Sequence, residues 1–541
     1  MAKRNFSTYG LIVLVLLLHF FFRAHRPTHQ PFFIDEHRHI ERAAGIANFE
    51  THPAEKSLGK FLLYVWIAPF HTTNPTHALH MSRSAVALFT LLGSAALYAT
   101  TRRLFNRRAA LIAIIFYALL PYALFYERMV LADGIAAALG ALMAWQSVYL
   151  AQKPTYRRAG IVGLLVALAS MAKLTMMFSA LIPVAAIVCL GQWGQDKIRT
   201  QMKHYFKFLV VAGGATLLLW IVPVLIPAAI AKTQGVEYVL VDQSLLDESV
   251  FSNEDTGKLE ETWNKAELLI SEPMTIVGLL VVALGLWKTR RATLFGIAWL
   301  LIIWIPILIL VVRIHSRYLM PGMFPVAMLV GGGLATFTQL RLPSIPSKLQ
   351  GQVCRAAVGL ILAIWAITFA WPFAVNASND APALKMPYFD NRDYFQSRLN
   401  AYGLLPALGY IQQTGERVDG RVQVMMVAYL CDRLELYAIE PIQLTCLGQE
   451  LNGPTVTPDL WTRLIEQSAT TQPIYVIVEQ AFGETEPLED TPVQLDGLTW
   501  ERLAIFRRPK NGLWLTVWQV TPVITTPVFG KIAPITTRIA S

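Results

Sequence analysis

Long apolar runs alternate with short polar segments along the first 373 residues, and the pattern changes only after Asn376. A bilayer core takes about 20 apolar residues per helix, with a range of roughly 17 to 25. On that scale eleven runs read as spans: 9–22, 82–99, 109–124, 129–150, 159–172, 174–190, 206–230, 273–287, 292–312, 318–338 and 356–373. The stretch 159–190 reads as a hairpin of two short helices. Lys173 falls in its middle, where a charge at the bilayer centre costs about 2.5 to 3.5 kcal/mol, whereas at a hairpin tip it reaches the interface.

Beyond Asn376 the runs shorten to strand-like segments, VQVMMVAYL, PIYVIVEQ and LWLTVWQV, with PDLWTRLIEQSA spaced as a helix among them. The pattern predicts a transmembrane unit over 1–375 and a small α/β domain over 376–541. The hydrophobic share of 54%, the charged share of 15% and the mean hydropathy of +0.44 exceed what a soluble domain buries, so the chain reads as a polytopic α-helical membrane protein.

In a soluble chain the net charge of +10 would suggest nucleic acid. Here the basic residues sit in short loops, and they read as a topology signal with no nucleic-acid partner. With the N-terminus (Lys3, Arg4) cytoplasmic, every second loop carries the Lys and Arg excess: Arg102 to Arg108, Lys153 to Arg158, Lys197 to Lys207, Lys288 to Arg291 and Arg341 to Arg355. An odd number of spans then places the C-terminal domain outside the cytoplasmic membrane. No small-x-small cleavage site follows Phe22, so the first run reads as a span rather than a signal peptide. Cys431 and Cys446 share the outer, oxidising side, where they either pair or stay as buried thiols; Cys189 and Cys354 lie near the opposite face.

That topology gathers ionisable residues at one outer interface. The loop 23–81 carries Asp35 and Glu36, the turn 121–128 leads from Glu127 and Arg128 to Asp133, Lys173 tops the hairpin, and Arg313, His315, Arg317 and Tyr318 form another outer turn. Charges near spans are functional candidates, although Arg and Tyr at helix ends also serve as plain anchors. Asp133 stands out because it lies within an apolar run, VLADGIAAALGA, where a carboxylate needs a partner; Arg128 and Lys173 are the candidates. His37 and His39, with Asp35 or Glu41, would be needed for a metal, but no HExxH or CxxC spacing supports one, so no cofactor is expected.

The segments IDEHRHIERA, KFLLYVW, RRLFNRRAALIAIIFYALLP, YERMVLADGIAAA, GLLVALASMAKLT and SRYLMPGMFP, in that order, resemble the integral-membrane glycosyltransferases of the GT-C class, in particular the protein O-mannosyltransferase and lipid A aminoarabinose transferase branch. KFLLYVW keeps Lys60 but replaces both prolines of the family's stretch. The resemblance implies a GT-C-like fold and inverting transfer of a monosaccharide from a polyprenyl-phosphate donor to a glycan, lipid or protein acceptor at the outer membrane face. It implies Asp35 as general base and Asp133 as the second catalytic carboxylate, placing a substrate. Glu36, Lys60, Lys173, Arg317 and Tyr318 are the expected substrate-binding residues, the cations holding the phosphate. Two other classes use similar charges: a transporter or flippase of lipid-linked sugars, and a glycan polymerase or ligase. Paired repeats would mark the former, and none is visible.

Overall fold

The computed structural model describes residues 2–50, 58–193, 198–222, 258–311, 314–340, 347–417, 419–437, 440–447, 473–479, 493–495 and 498–522, with Ile226, Ala229 and Thr233. The chain forms two compact units, Met1–Tyr394 and Phe395–Ser541. The composition changes earlier, at Asn376, so the last stretch of the helical unit is more polar than the rest of it.

The helical unit opens with α1 (Ala2–Ala24), α2 (Ile34–Ala47), α3 (Phe61–Ile67), α4 (Pro75–Leu104), α5 (Arg107–Leu119) and α6 (Pro121–Tyr126). It continues with α7 (Ala132–Gln152), α8 (Tyr156–Ala172), α9 (Ile182–Leu190), α10 (Ile198–Trp220), α11 (Lys258–Leu269), α12 (Glu272–Lys288) and α13 (Arg290–Leu310). It closes with α14 (Ser316–Leu319), α15 (Met323–Phe337), α16 (Ser347–Trp365), α17 (Trp371–Asn379) and α18 (Tyr388–Asn391). Among the described residues five helices are long and apolar enough to cross a membrane, or six if the bent pair α11 and α12 counts as one span. The protein is an integral membrane protein. The stretch 159–190 breaks at Lys173, whose extended backbone separates α8 from a 3-10 turn, Leu174–Leu181, leading into α9.

Burial sorts the helices. The apolar window of the span built from α14 and α15 is 94% buried, against 33% for α13, so the first is central and the second largely faces lipid. The run GGGLA makes that central position possible. A Cβ on Gly331 would lie 2.6 Å from the Ala109 carbonyl oxygen of α5, and one on Gly333 would lie 2.5 Å from that of Val281 in α12. The first helix is held by polar contacts: Arg23 pairs with Glu127, Tyr117 donates to Glu127 at 2.7 Å, and His19 lies 3.0 Å from Thr90 Oγ1. All three of Arg23, Glu127 and His19 are buried, and an ion there persists only when paired.

The second unit contains helix α19 (Leu404–Thr414) and a six-stranded sheet of order β2-β1-β3-β6-β5-β4. Its strands are β1 (Val422–Val427), β2 (Ile442–Cys446), β3 (Ile474–Glu479), β4 (Val493–Leu495), β5 (Leu498–Arg507) and β6 (Trp514–Pro522). β2, β1 and β3 run parallel, and β6, β5 and β4 extend the sheet antiparallel. The three expected strands fall on β1, β3 and β6. Met425, Val476, Trp500 and Trp518 pack one core cluster, and Cys431 and Cys446 form a disulfide. The expected helix PDLWTRLIEQSA lies outside the described residues, as does Arg313.

Replacing Gly331 or Gly333 with Val forces a backbone clash, so either variant should lower the yield and melting temperature of detergent-solubilised protein. Gly351→Val and Gly359→Val, with nothing within 4 Å, should leave both near wild type. Equal behaviour of the two sets would refute the packing argument.

Candidate functional site

Helix α2 begins after Phe33, whose extended backbone gives way to the first turn, and Glu36 accepts the Phe33 N–H at 2.9 Å to close that end. The same carboxylate accepts Arg83 Nε at 2.8 Å, Arg83 Nη2 at 2.6 Å and the Val130 N–H at 2.8 Å. Those four donors fill the roughly four acceptor positions a carboxylate has. Glu36 is fully buried, so the substrate-binding role expected of it has no free oxygen to work with. It belongs to the scaffold.

One turn on, His39 Nδ1 lies 2.7 Å from the Val130 carbonyl oxygen. A carbonyl only accepts, so Nδ1 carries the proton. Helix α2 therefore grips both polar backbone groups of Val130, three residues before Asp133. Arg83 completes the clamp by donating to the carbonyls of Pro27, Gln30 and Pro31.

Successive helical residues point about 100° apart, so with Glu36 turned into the scaffold Asp35 faces elsewhere. Its Oδ2 lies 2.7 Å from Arg317 Nη1. Asp133, in the first turn of α7, pairs with Lys173 at the break between α8 and α9; Arg128, the other candidate partner, instead donates to the Phe22 and His25 carbonyls and to Ser378 Oγ. The Lys173 ammonium sits 4.6 Å from the centre of the Tyr318 ring, and the Arg317 guanidinium lies 5.4 Å from the rings of both Phe33 and Tyr318. Lys60 is half-buried and makes no ion pair among the described residues, yet its charge acts on Asp35, Arg317 and Asp133.

The structure thus gathers Asp35, Lys60, Asp133, Lys173, Arg317 and Tyr318 from five separate stretches of chain. Burial pushes the Asp35 carboxyl up, but Arg317 and Lys60 outweigh it and hold the group well below the usual carboxylate range. Burial pushes the Lys60 and Lys173 ammonium groups down, against the pull of Asp35 and Asp133.

Several residues of this region escaped the sequence reading. Arg42 donates to the Tyr64 hydroxyl at 2.7 Å, and Tyr394 packs its ring 4.8 Å from that of Phe33. Arg42 was findable, since it sits seven residues after Asp35 on the same helical face. Arg83 and Tyr394 carried no such signal. Of the two histidines considered for a metal, His39 is bound to Val130 and His37 packs against Phe32 at 6.0 Å; among the described residues no group of three or more His, Cys, Asp or Glu could hold an ion.

Residues 62–225 match the family described as dolichyl-phosphate-mannose-protein mannosyltransferase. The structure is similar to that of ArnT from Cupriavidus metallidurans in the apo state, with a TM-score of 0.53 and 15% identity over 88% of this chain and 93% of that one. It is equally similar to ArnT from the same organism bound to undecaprenyl phosphate, with a TM-score of 0.53 and 14% identity over 94% and 97% of the two chains. The fold is that of the GT-C glycosyltransferases. No curated protein matches the chain in sequence. In this GT-C unit the match over 62–225 spans Asp133 and Lys173, while Asp35, Lys60 and Arg317 lie outside it.

His39 is pushed down to about 3, first by burial and then by the Lys60 ammonium. A value below that of the unfolded ring, about 6.5, means the neutral ring's contribution is complete above that pH and is lost as the pH falls. The unfolded chain then takes up a proton that the folded one refuses, at a slope of up to about 1.4 kcal/mol per pH unit. His39→Asn, which keeps a donor for Val130 but does not titrate, should flatten the fall in melting temperature in detergent between about pH 6.5 and 5. Parallel curves for variant and wild type would show that the ring protonates freely.

Proposed function

We propose that this protein is a glycosyltransferase that moves a monosaccharide, hexosyl or pentosyl, from a polyprenyl-phosphate donor to an acceptor at the outer face of the cytoplasmic membrane, with inversion. The observation that carries this reading is the charge arrangement: two carboxylates, each paired with its own cation, beside a third cation, Lys60, with no ion-pair partner among the described residues. A site built this way has room for one more anion. The GT-C fold and the undecaprenyl phosphate bound to the similar ArnT support a lipid phosphate as that anion.

In this reaction the donor phosphate settles on Lys60 and competes with Asp35 for Arg317, which binds phosphate in a bidentate way where Lys acts as a point charge. Asp35, relieved of its guanidinium, regains basicity and takes the proton of the acceptor hydroxyl. The acceptor oxygen bonds to the anomeric carbon from the side opposite the phosphate. The carbon–phosphate-oxygen bond breaks, and polyprenyl phosphate leaves with the electron pair, its charge met by Lys60, Arg317 and Lys173. Asp133, fixed by Lys173, places a substrate. The acceptor is a glycan, lipid or protein hydroxyl.

Asp35→Asn keeps the side chain's size but removes proton acceptance, so turnover should fall by about two to four orders of magnitude while donor binding persists. Lys60→Ala should instead weaken donor binding first, and Asp133→Asn should raise KM more than it lowers kcat. An Asp35→Asn protein with near-normal turnover on polyprenyl-phosphate sugars would overturn the mechanism.

The reading also requires eleven crossings, a cytoplasmic N-terminus and the site on the outer side. A cysteine introduced at Asn376 should react with an impermeant thiol reagent in intact cells, and one at Arg103 should not. Reversed labelling would place the site on the wrong face.

A further inference from the structure

Arg317 stands at the centre of the cluster, yet it is carried by a very short element. α14 (Ser316–Leu319) is a single turn, and His315, at its N-cap position, makes no side-chain capping bond. The first N–H groups of a helix need acceptors, and a turn without a cap is poorly fixed. The acceptor comes instead from a residue 74 positions further along the chain. Asp390 Oδ2 accepts the Ser316 hydroxyl at 2.6 Å and its N–H at 3.4 Å, while Oδ1 accepts the Tyr126 hydroxyl at 2.8 Å. Tyr122 donates to the Ser316 carbonyl oxygen at 2.7 Å. Every polar atom of Ser316 is therefore engaged, one residue before the guanidinium that meets Asp35.

The neighbouring residue is held from the same segment, since Asp393 Oδ2 lies 3.3 Å from His315 Nδ1. Asp390 itself is fully buried and forms no ion pair among the described residues. A carboxylate in such a place is costly, and burial pushes its proton affinity up. A neutral amide or an apolar side chain would pack there at lower cost. What the carboxylate supplies is one oxygen that accepts both Ser316 donors and a second that anchors it to the Tyr126 hydroxyl.

We infer that Asp390 is a positioning residue: by capping the turn at Ser316 from outside it sets where Arg317 presents its guanidinium to the donor phosphate. Asp390 does not touch the reacting groups and acts only through Ser316 and Arg317. The polar stretch that follows α17 thus belongs to the site rather than to a linker. The inference deepens the transferase reading and rests on it.

The test is a double-mutant cycle read on purified full-length protein, with affinity for undecaprenyl phosphate and kcat/KM for a polyprenyl-phosphate sugar as readouts. Asp390→Ala leaves the Ser316 hydroxyl and N–H without their acceptor and should lower both by about 10- to 100-fold, in line with the loss of a hydrogen bond to a charged group. In an Arg317→Ala background the same change should cost less than about threefold, because the group it positions is already gone. The full factor persisting in that background, or an Asp390→Ala protein equal to wild type, would overturn the inference. If Asp390→Ala does not accumulate as folded protein, Ser316→Ala removes only the hydroxyl bond and should show the same loss, with Ser316→Thr restoring it; equal activity of the two refutes the role. Wild-type protein that neither binds undecaprenyl phosphate nor transfers any sugar would instead refute the transferase reading, and the inference would fall with it.

Discussion

The buried pair of Glu36 and Arg83 is the interaction on which the geometry of this site depends. A carboxylate and a guanidinium sealed inside an apolar bundle are stable only when nearly all their hydrogen-bonding capacity is used. Here it is used on backbone: Arg83 ties down the carbonyls of Pro27, Gln30 and Pro31, and Glu36 takes the N–H groups of Phe33 and Val130. The chain before α2, the start of α2 and the approach to α7 are thereby locked together. With His39 holding the other side of Val130, the separation between Asp35 and Asp133 is set by contacts that do not themselves belong to the chemistry.

On that frame the reactive cluster is nearly self-neutralising. Asp35 with Arg317 and Asp133 with Lys173 form two pairs in a partly enclosed setting, where each partner lowers the cost of burying the other. The aromatic faces of Phe33 and Tyr318 shield the cations further. A cluster of this kind is stable when empty and gains an attraction for anions through its extra positive charge, Lys60. In the proposed transfer the Asp35 carboxylate is a poor base until its guanidinium is drawn away, so proton acceptance would wait on the arrival of the donor phosphate.

The second unit follows different rules. Its parallel strands β1 and β3 are buried along most of their length, the parallel edge strand β2 buries only Ile442, and the antiparallel strand β5 alternates buried and more exposed positions near its start. The disulfide between Cys431 and Cys446 joins the turn after β1 to the end of β2, so the question left open by spacing alone is answered by strand pairing that brings the two thiols together.

Apolar run length determined that the chain is a helical membrane protein, because a bilayer imposes one length on every crossing helix. Lys173 marked a helix break from sequence alone, for the same reason that a charge avoids the bilayer centre. Topology and residue type were enough to gather Asp35, Asp133, Lys173, Arg317 and Tyr318 as candidates at one interface, and Lys60 joined them only through the family resemblance. The tertiary structure decided which of the acidic neighbours faces the cluster, since Asp35 and Glu36 are equivalent in composition and differ only by a rotation about the helix axis. It also decided that Lys173 and not Arg128 partners Asp133, and that a turn at Ser316 is capped by Asp390. Those outcomes depend on contacts between residues tens to hundreds of positions apart, and a linear pattern of apolar and polar positions carries no record of such distances.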